Sequence, residues 1–260
     1  MSARRDLVHD LVDVRIAYDV LGEGPNVVII HGWACQRSDM DGMVADLARD
    51  HRVLTLDMPW HGGSTTSRAT WTMPDLGSLV DAVVAGEGMR DAALVGHSMG
   101  AAVAVETVLA GTGHRVISLD GLTFMHMYPR QSPADADAYL APFRDDFPAA
   151  IRALCERASG PDCSPELLDV VATRMGSVDA DAAIAMMREL LLWDMDGALA
   201  RANALGLGVT AFAAESLLSP RAVEAYGHRF PIIPVDLGGH FFPLEHPVKT
   251  AGLIREALAA

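Results

Sequence analysis

Residues Asn26–Ile30 are a polar residue followed by an unbroken β-branched run, the pattern of a strand buried on both faces of a parallel sheet. Arg52–Leu56, Ala93–Val95 and Arg115–Leu119 repeat it at intervals long enough to hold helices. Ahead of them, Leu7–Val14 and Arg15–Leu21 alternate apolar and polar positions, as two edge strands of a hairpin do, and Gly22-Glu23-Gly24-Pro25 is a turn. Helices are predicted from about Ser38 to Arg49 and from Pro74 to Glu87. The second puts Leu76, Leu79, Val80, Val83 and Val84 on one side. A third, rich in small residues, follows Ser98.

This rhythm breaks after Asp120. Residues 122–204 carry helical patterns and no convincing strand, and Pro129, Pro133, Pro142, Pro148, Pro161 and Pro165 divide the first part into short pieces. The sheet resumes at Val209–Ala213 and ends with Ile232–Val235. Helices are expected at Pro220–Tyr226 and Pro247–Leu258. The expected architecture is therefore α/β, a mostly parallel sheet with helices on both faces. Residues 1–121 and 205–260 form its core, and a helical cap, 122–204, is inserted after the strand ending at Asp120. Most large apolar residues of the cap, such as Phe147, Met186, Met187 and Met195, are expected to be its own core. Phe124, Met125, Phe143 and Trp193 are expected to face a substrate pocket beneath it.

Composition narrows the function. At 260 residues, 50% hydrophobic and 21% charged, the chain is long enough for one large α/β domain. A net charge of −14 argues against nucleic acid or an anionic membrane as partner. Lys249 is the only lysine, so no lysine nucleophile is available near the centre. The charged start leads into no leader-like apolar segment, and no window reaches the about 18 uninterrupted apolar residues of a membrane span. Cys35, Cys155 and Cys163 are scattered without metal-ligand spacing. Free thiols in a reducing cytoplasm are expected, with a Cys155–Cys163 bridge as the alternative.

The candidate chemistry centres on Gly96-His97-Ser98-Met99-Gly100, a G-x-S-x-G sequence between a predicted strand and a predicted helix. A turn that sharp needs small residues on either side and lifts the serine hydroxyl clear of the strand. A bare G-x-S-x-G is also an ordinary Gly/Ser turn; the flanking strand and helix favour a nucleophile at Ser98. The backbone N–H of Met99, the next residue, then becomes a candidate oxyanion donor.

Three further stretches stand in order around this one: His31-Gly32-Trp33 after a strand, Asp57-Met58-Pro59-Trp60-His61-Gly62-Gly63-Ser64 after the next, and Gly238-Gly239-His240-Phe241-Phe242-Pro243 near the end. With these four landmarks the chain resembles the α/β-hydrolase superfamily over essentially its whole length. The resemblance implies that His240, of ten histidines, is the general base, and that the N–H of Trp33 is the second oxyanion donor. The Trp33 indole is also expected to wall the substrate pocket. It gives His97 a packing role and His31 structural hydrogen bonds. The acid of the triad usually stands four residues before a proline after the next-to-last strand. Counting back from Pro220 reaches Ser216, which cannot hold a negative charge. Asp120, where some members carry the acid, is favoured instead, with Glu215 as the alternative. Trp60 stands where the superfamily usually has glycine.

The expected function is that of a cofactor-independent serine hydrolase acting on a small-to-medium hydrophobic carboxylic ester or lactone, with no metal. Two alternatives stand beside it. One is a cofactor-free dioxygenase of the same fold, using a His240/Asp120 dyad. The other is a non-catalytic protein that keeps the fold to bind a ligand.

Overall fold

A computed structural model describes residues 2–124, 130–160 and 163–260. The chain opens with an antiparallel hairpin, β1 (Ala3–Leu11) and β2 (Val14–Leu21), followed by β3 (Asn26–Ile30). A single 3-10 turn leads into α1 (Asp41–Leu47), then β4 (Arg52–Leu56), a two-residue β5 (Thr65–Thr66) and α2 (Met73–Gly86). Next come β6 (Ala93–His97), α3 (Met99–Ala110) and β7 (Arg115–Leu119). Among the described residues, five consecutive helices separate β7 from the next strand: α4 (Pro133–Asp145), α5 (Phe147–Ala158), α6 (Pro165–Gly176), α7 (Ala180–Leu191) and α8 (Met195–Ala204). The chain closes with β8 (Gly208–Ala214), α9 (Pro220–Tyr226), β9 (Ile232–Val235), α10 (Phe242–Glu245) and α11 (Pro247–Ala259).

The strands form one sheet in the order β1-β2-β4-β3-β6-β7-β8-β9, with β5 alongside β2. From β4 to β9 every neighbouring pair is parallel. Alternate residues divide between two apolar layers, as a period-two pleat requires. Val27, Ile29, Val53, Val95 and Ile117 pack with Met43 and Leu47 of α1 and Ile254 of α11. Val28, Ile30, Leu54, Leu94 and Val116 face α2 and α3. The central strands are thus buried on both sides, which explains why their sequences show no alternation.

α3 is buried from Met99 to Val108 because its small residues let it rest directly on the sheet. A Cβ on Gly100 would meet the Ile30 carbonyl oxygen at 2.3 Å, and one on Gly96 the Gly100 oxygen at 2.2 Å. No larger residue fits at either position.

Prolines and N-caps build the helical insertion. Pro133, Pro148 and Pro165 sit in the first turns of α4, α5 and α6, where a missing N–H costs nothing. Ser132, Asp146, Ser164, Asp179 and Asp194 each accept a backbone N–H at the start of their helix, a contribution of about 1 kcal/mol apiece. The insertion is bound to the core by buried polar contacts as well as apolar packing. Trp33 Nε1–H donates to the Ala183 carbonyl of α7 at 2.7 Å, and Trp193 Nε1–H donates to Glu106 Oε1 of α3 at 2.7 Å.

Trp60 has φ of +67°, a left-handed conformation that glycine adopts without strain and tryptophan does not. This is a physical reason for the glycine usual at that position. Among the described residues no helix is long and apolar enough to cross a membrane. All three cysteines are free, so the alternative Cys155–Cys163 bridge is not made.

Candidate active site

The strand order reverses between β3 and β6: β4 lies on the far side of β3, and β7 on the far side of β6. The carboxyl ends of strands beside such a reversal leave a crevice where ligands bind. The two loops that meet there are His31-Gly32-Trp33 after β3 and Ser98 after β6. They touch: a Cβ on Gly32 would lie 3.1 Å from Ser98 Cβ and 3.1 Å from His97 Nδ1.

Ser98 has φ of +54° and ψ of −122°, a sparsely populated conformation forced by the strand-to-helix turn. Its N–H donates to the Leu119 carbonyl at 3.1 Å, which ties the turn to the end of β7. Ser98 occupies the N-cap position of α3, yet its side chain caps nothing. The residue is only partly buried, unlike its neighbours His97 and Met99. Met99 is the first residue of α3, so its N–H has no partner within the helix.

Asp120 stands just past β7, also left-handed, with φ of +45°. Its carboxylate is buried and accepts two hydrogen bonds. Ala214 N–H donates to Oδ1 at 2.9 Å, and His240 Nδ1–H donates to Oδ2 at 2.6 Å. Because the carboxylate accepts, Nδ1 of His240 carries the proton, and the lone pair of the neutral ring lies on Nε2. Glu215, by contrast, is exposed in a one-turn helix after β8, and no hydrogen bond links it to His240 among the described residues. Its neighbour Ser216 donates from Oγ to the Gly238 carbonyl at 2.9 Å, so position 216 anchors the histidine loop rather than charging it.

The His240 ring is enclosed. Phe124 stacks on one face with centroids 4.1 Å apart and planes inclined by 23°, and the His97 ring lies 4.8 Å away. Burial pushes the His97 ring down to about 3, with nearby His240 adding to the effect, so His97 is neutral. Its Nε2–H donates to the His240 carbonyl at 2.9 Å.

His31 and His61 brace the loop after β3 in the same neutral form. His31 donates from Nδ1 to the Gly32 carbonyl and accepts Met58 N–H on Nε2. His61 donates to the Pro59 carbonyl and accepts Ala34 N–H. Burial lowers both, His61 to about 4. Asp57 accepts Arg37 N–H and Gly63 N–H and so braces the following loop.

A narrow cavity of about 30 Å³ opens beside Ser98 and His240, walled by Trp33, Phe124, Leu154, Met175, Met187 and Phe241. Of the five aromatic or methionine residues expected at a pocket, Trp33 and Phe124 line it. Phe143 stands one layer back, edge-on to the Trp33 indole with centroids 5.6 Å apart. Trp193 does not line it; its indole is drawn to the buried Glu106 instead. Met125 lies outside the described residues. Met187, expected within the insertion's own core, lines the cavity instead, and Leu154 and Met175 carry no such expectation in the sequence. Leu154 and Ala158 are four apart on α5, the spacing of one helix face, and that spacing was the available signal. Among the described residues no group of three or more His, Cys, Asp or Glu side chains is placed to hold a metal ion.

A hydroxyl on a strained turn, a buried imidazole oriented by a carboxylate, and a helix N-terminus at the hydroxyl together allow nucleophilic attack on a carbonyl with stabilisation of the resulting oxyanion. The comparisons with known proteins agree with this fold. The pimeloyl-[acyl-carrier protein] methyl ester esterase of Methylococcus capsulatus is 28% identical over 92% of this chain and 96% of its own length. An esterase from Exiguobacterium antarcticum superposes with a TM-score of 0.83 at 15% identity, covering 95% of this chain and 96% of that one. A thermophilic esterase from Thermogutta terrifontis does so with a TM-score of 0.80 at 19% identity, over 95% and 93%. Residues 27–253 match the alpha/beta hydrolase family, and the chain belongs to it.

Proposed function

We propose that this protein is a serine hydrolase that cleaves carboxylic esters or lactones of small-to-medium apolar substrates through an acyl-enzyme on Ser98. The observation that carries the reading is the buried 2.6 Å contact between His240 Nδ1 and Asp120 Oδ2, made where the Ser98 turn and the Gly32 loop converge.

Ser98 Oγ attacks the carbonyl carbon while His240 Nε2 takes its proton, and Asp120 stabilises the imidazolium that forms. The N–H groups of Met99 and Trp33 stabilise the oxyanion; each such donor is worth about 3 kcal/mol of barrier lowering. His240 then protonates the leaving alkoxide. Water, deprotonated by His240, releases the acid and restores Ser98. The helical insertion acts as a cap whose apolar wall excludes water and receives the apolar part of the substrate. The Methylococcus relative is named for a methyl ester, which is consistent with an ester bearing a small alcohol.

Incubation with a fluorophosphonate, followed by peptide mapping, tests the proposal. Stoichiometric modification of Ser98 with loss of p-nitrophenyl butyrate hydrolysis is expected. An unlabelled Ser98 with oxygen consumption on a heteroaromatic substrate would overturn it in favour of a His240/Asp120 dioxygenase. An unlabelled Ser98 with no turnover would point to a ligand-binding protein.

A further inference from the structure

The loop that carries His240 has little regular structure of its own. It leaves β9 at Val235 and reaches α10 at Phe242. A hydrogen bond from His240 to Asp120 fixes one ring nitrogen, but it does not fix the backbone from which the ring hangs. That backbone is gripped at both of its polar groups. The His240 N–H donates to the Ala158 carbonyl at the end of α5 at 2.7 Å. The His240 carbonyl accepts Nε2–H of His97 at 2.9 Å.

The two grips come from different parts of the chain. Ala158 belongs to the helical insertion, whereas His97 is the last residue of β6 and the neighbour of Ser98. At the insertion side there is no slack: a Cβ on Gly239 would lie 2.2 Å from Gly160 N and 2.4 Å from the Ala158 oxygen.

The other nitrogen of His97 shows that packing does not account for this residue. A carbonyl only accepts, so Nε2 of His97 must hold the ring's single proton, and Nδ1 is left with a lone pair. That nitrogen is buried and has no hydrogen-bond partner among the described residues. An unpaired buried acceptor is destabilising, and an apolar residue of similar shape would avoid it. What offsets it is the bond made by Nε2. Because burial keeps the ring neutral, that bond is retained at neutral pH.

We infer that His97 is a positioning residue: with the Ala158 carbonyl opposite, its Nε2–H holds the His240 backbone so that the imidazole stays within reach of Ser98. The inference rests on the reading of Ser98 and His240 as nucleophile and base. It makes the residue before the nucleophile the link that fixes the distance between nucleophile and base.

The test compares His97→Phe and His97→Leu, which remove the donor, with His97→Gln, which restores an N–H at similar reach. For the Phe and Leu variants, kcat on p-nitrophenyl butyrate should fall roughly 10- to 100-fold, as for an ångström-scale misplacement, with KM little changed. Their rate of fluorophosphonate labelling should fall in parallel. The Gln variant should recover most of the loss. In a His240→Ala background the His97→Phe change should make no further difference to the residual rate. Should both donor-free variants fail to fold, Gly239→Ala, which displaces the loop from the Ala158 side, should give the same kcat-selective loss. Wild-type kcat and labelling in a folded His97→Phe or Gly239→Ala variant would overturn the inference, as would a Gln variant as slow as Phe. Failure of the wild-type protein itself to label at Ser98 would instead overturn the assignment of the nucleophile.

Discussion

Trp193 and Glu106 meet across the boundary between the helical insertion and the core, with the indole Nε1–H 2.7 Å from Oε1. Arg201 approaches the same carboxylate at 3.3 Å, but its side chain is largely exposed. The buried indole bond therefore carries most of the energetic weight. Glu106→Ala leaves the indole N–H unpaired and should cost about 1–3 kcal/mol. For a domain of this size that corresponds to a fall in thermal midpoint of roughly 2–4 °C per kcal/mol. Differential scanning fluorimetry reads it, and an unchanged midpoint would refute the role.

Asp120 and Glu215 separate cleanly by kinetics. Asp120→Asn offers His240 the wrong hydrogen-bonding partner and should lower kcat roughly 10³- to 10⁴-fold. Glu215→Gln, at an exposed position, should leave kcat on p-nitrophenyl butyrate unaffected. The reverse ranking would transfer the acid's role to Glu215.

Stability should fall on mild acidification because of buried histidines. His61 and His97 are held neutral by burial, at about 4 and about 3 against an ordinary 6.5. Between pH 6.5 and 4 the unfolded chain binds protons that the folded chain refuses, so stability rises with pH there. Their contribution is complete above pH 6.5 and is lost progressively as the pH falls to 4, by an amount on the order of several kcal/mol. Urea-unfolding midpoints at pH 7, 6 and 5 should decline steadily. A flat series would mean that these rings are not buried in neutral form.

The cavity beside Ser98 is narrow, and two of its walls are methionines, whose unbranched chains repack readily. Rates on p-nitrophenyl esters should therefore peak at short acyl chains and decline steeply towards decanoate. Met187→Ala should move the optimum to longer chains while lowering stability by about 2–5 kcal/mol. A wild-type profile that favours decanoate would contradict the small cavity.

The sheet was legible because its central strands are buried on both faces and so appear as unbroken apolar runs. The hairpin was legible in outline, but β1 begins at Ala3 rather than Leu7. Arg4 and Arg5 enter the strand through ion pairs with Glu87 and Asp19, partners far away in sequence. Three of the six prolines, Pro133, Pro148 and Pro165, start helices of the insertion, whereas Pro142 sits inside α4 and divides nothing; Pro129 and Pro161 lie outside the described residues. Trp193 was misplaced for a comparable reason. A glutamate on an otherwise apolar helix signals that Glu106 needs a donor, but nothing local says which of many donors folds onto it. The contact of Asp120 with His240 belongs to the same class, since it joins residues 120 positions apart. The superfamily resemblance narrowed the acid to two candidates, and only the three-dimensional path of the loop brings one of them to the ring.

The contact between Gly160 and Gly239 bears on how this protein can be altered. Exchanging the insertion for that of another hydrolase is an obvious route to new specificity, because the insertion supplies much of the cavity wall. Here the donor segment would also have to present a bare backbone and a free carbonyl at the positions of Gly160 and Ala158. A graft chosen for its pocket residues alone would deliver a well-shaped pocket above an unseated histidine. Grafts that retain residues 158–160 should keep their turnover, and the helices on either side are the part open to exchange.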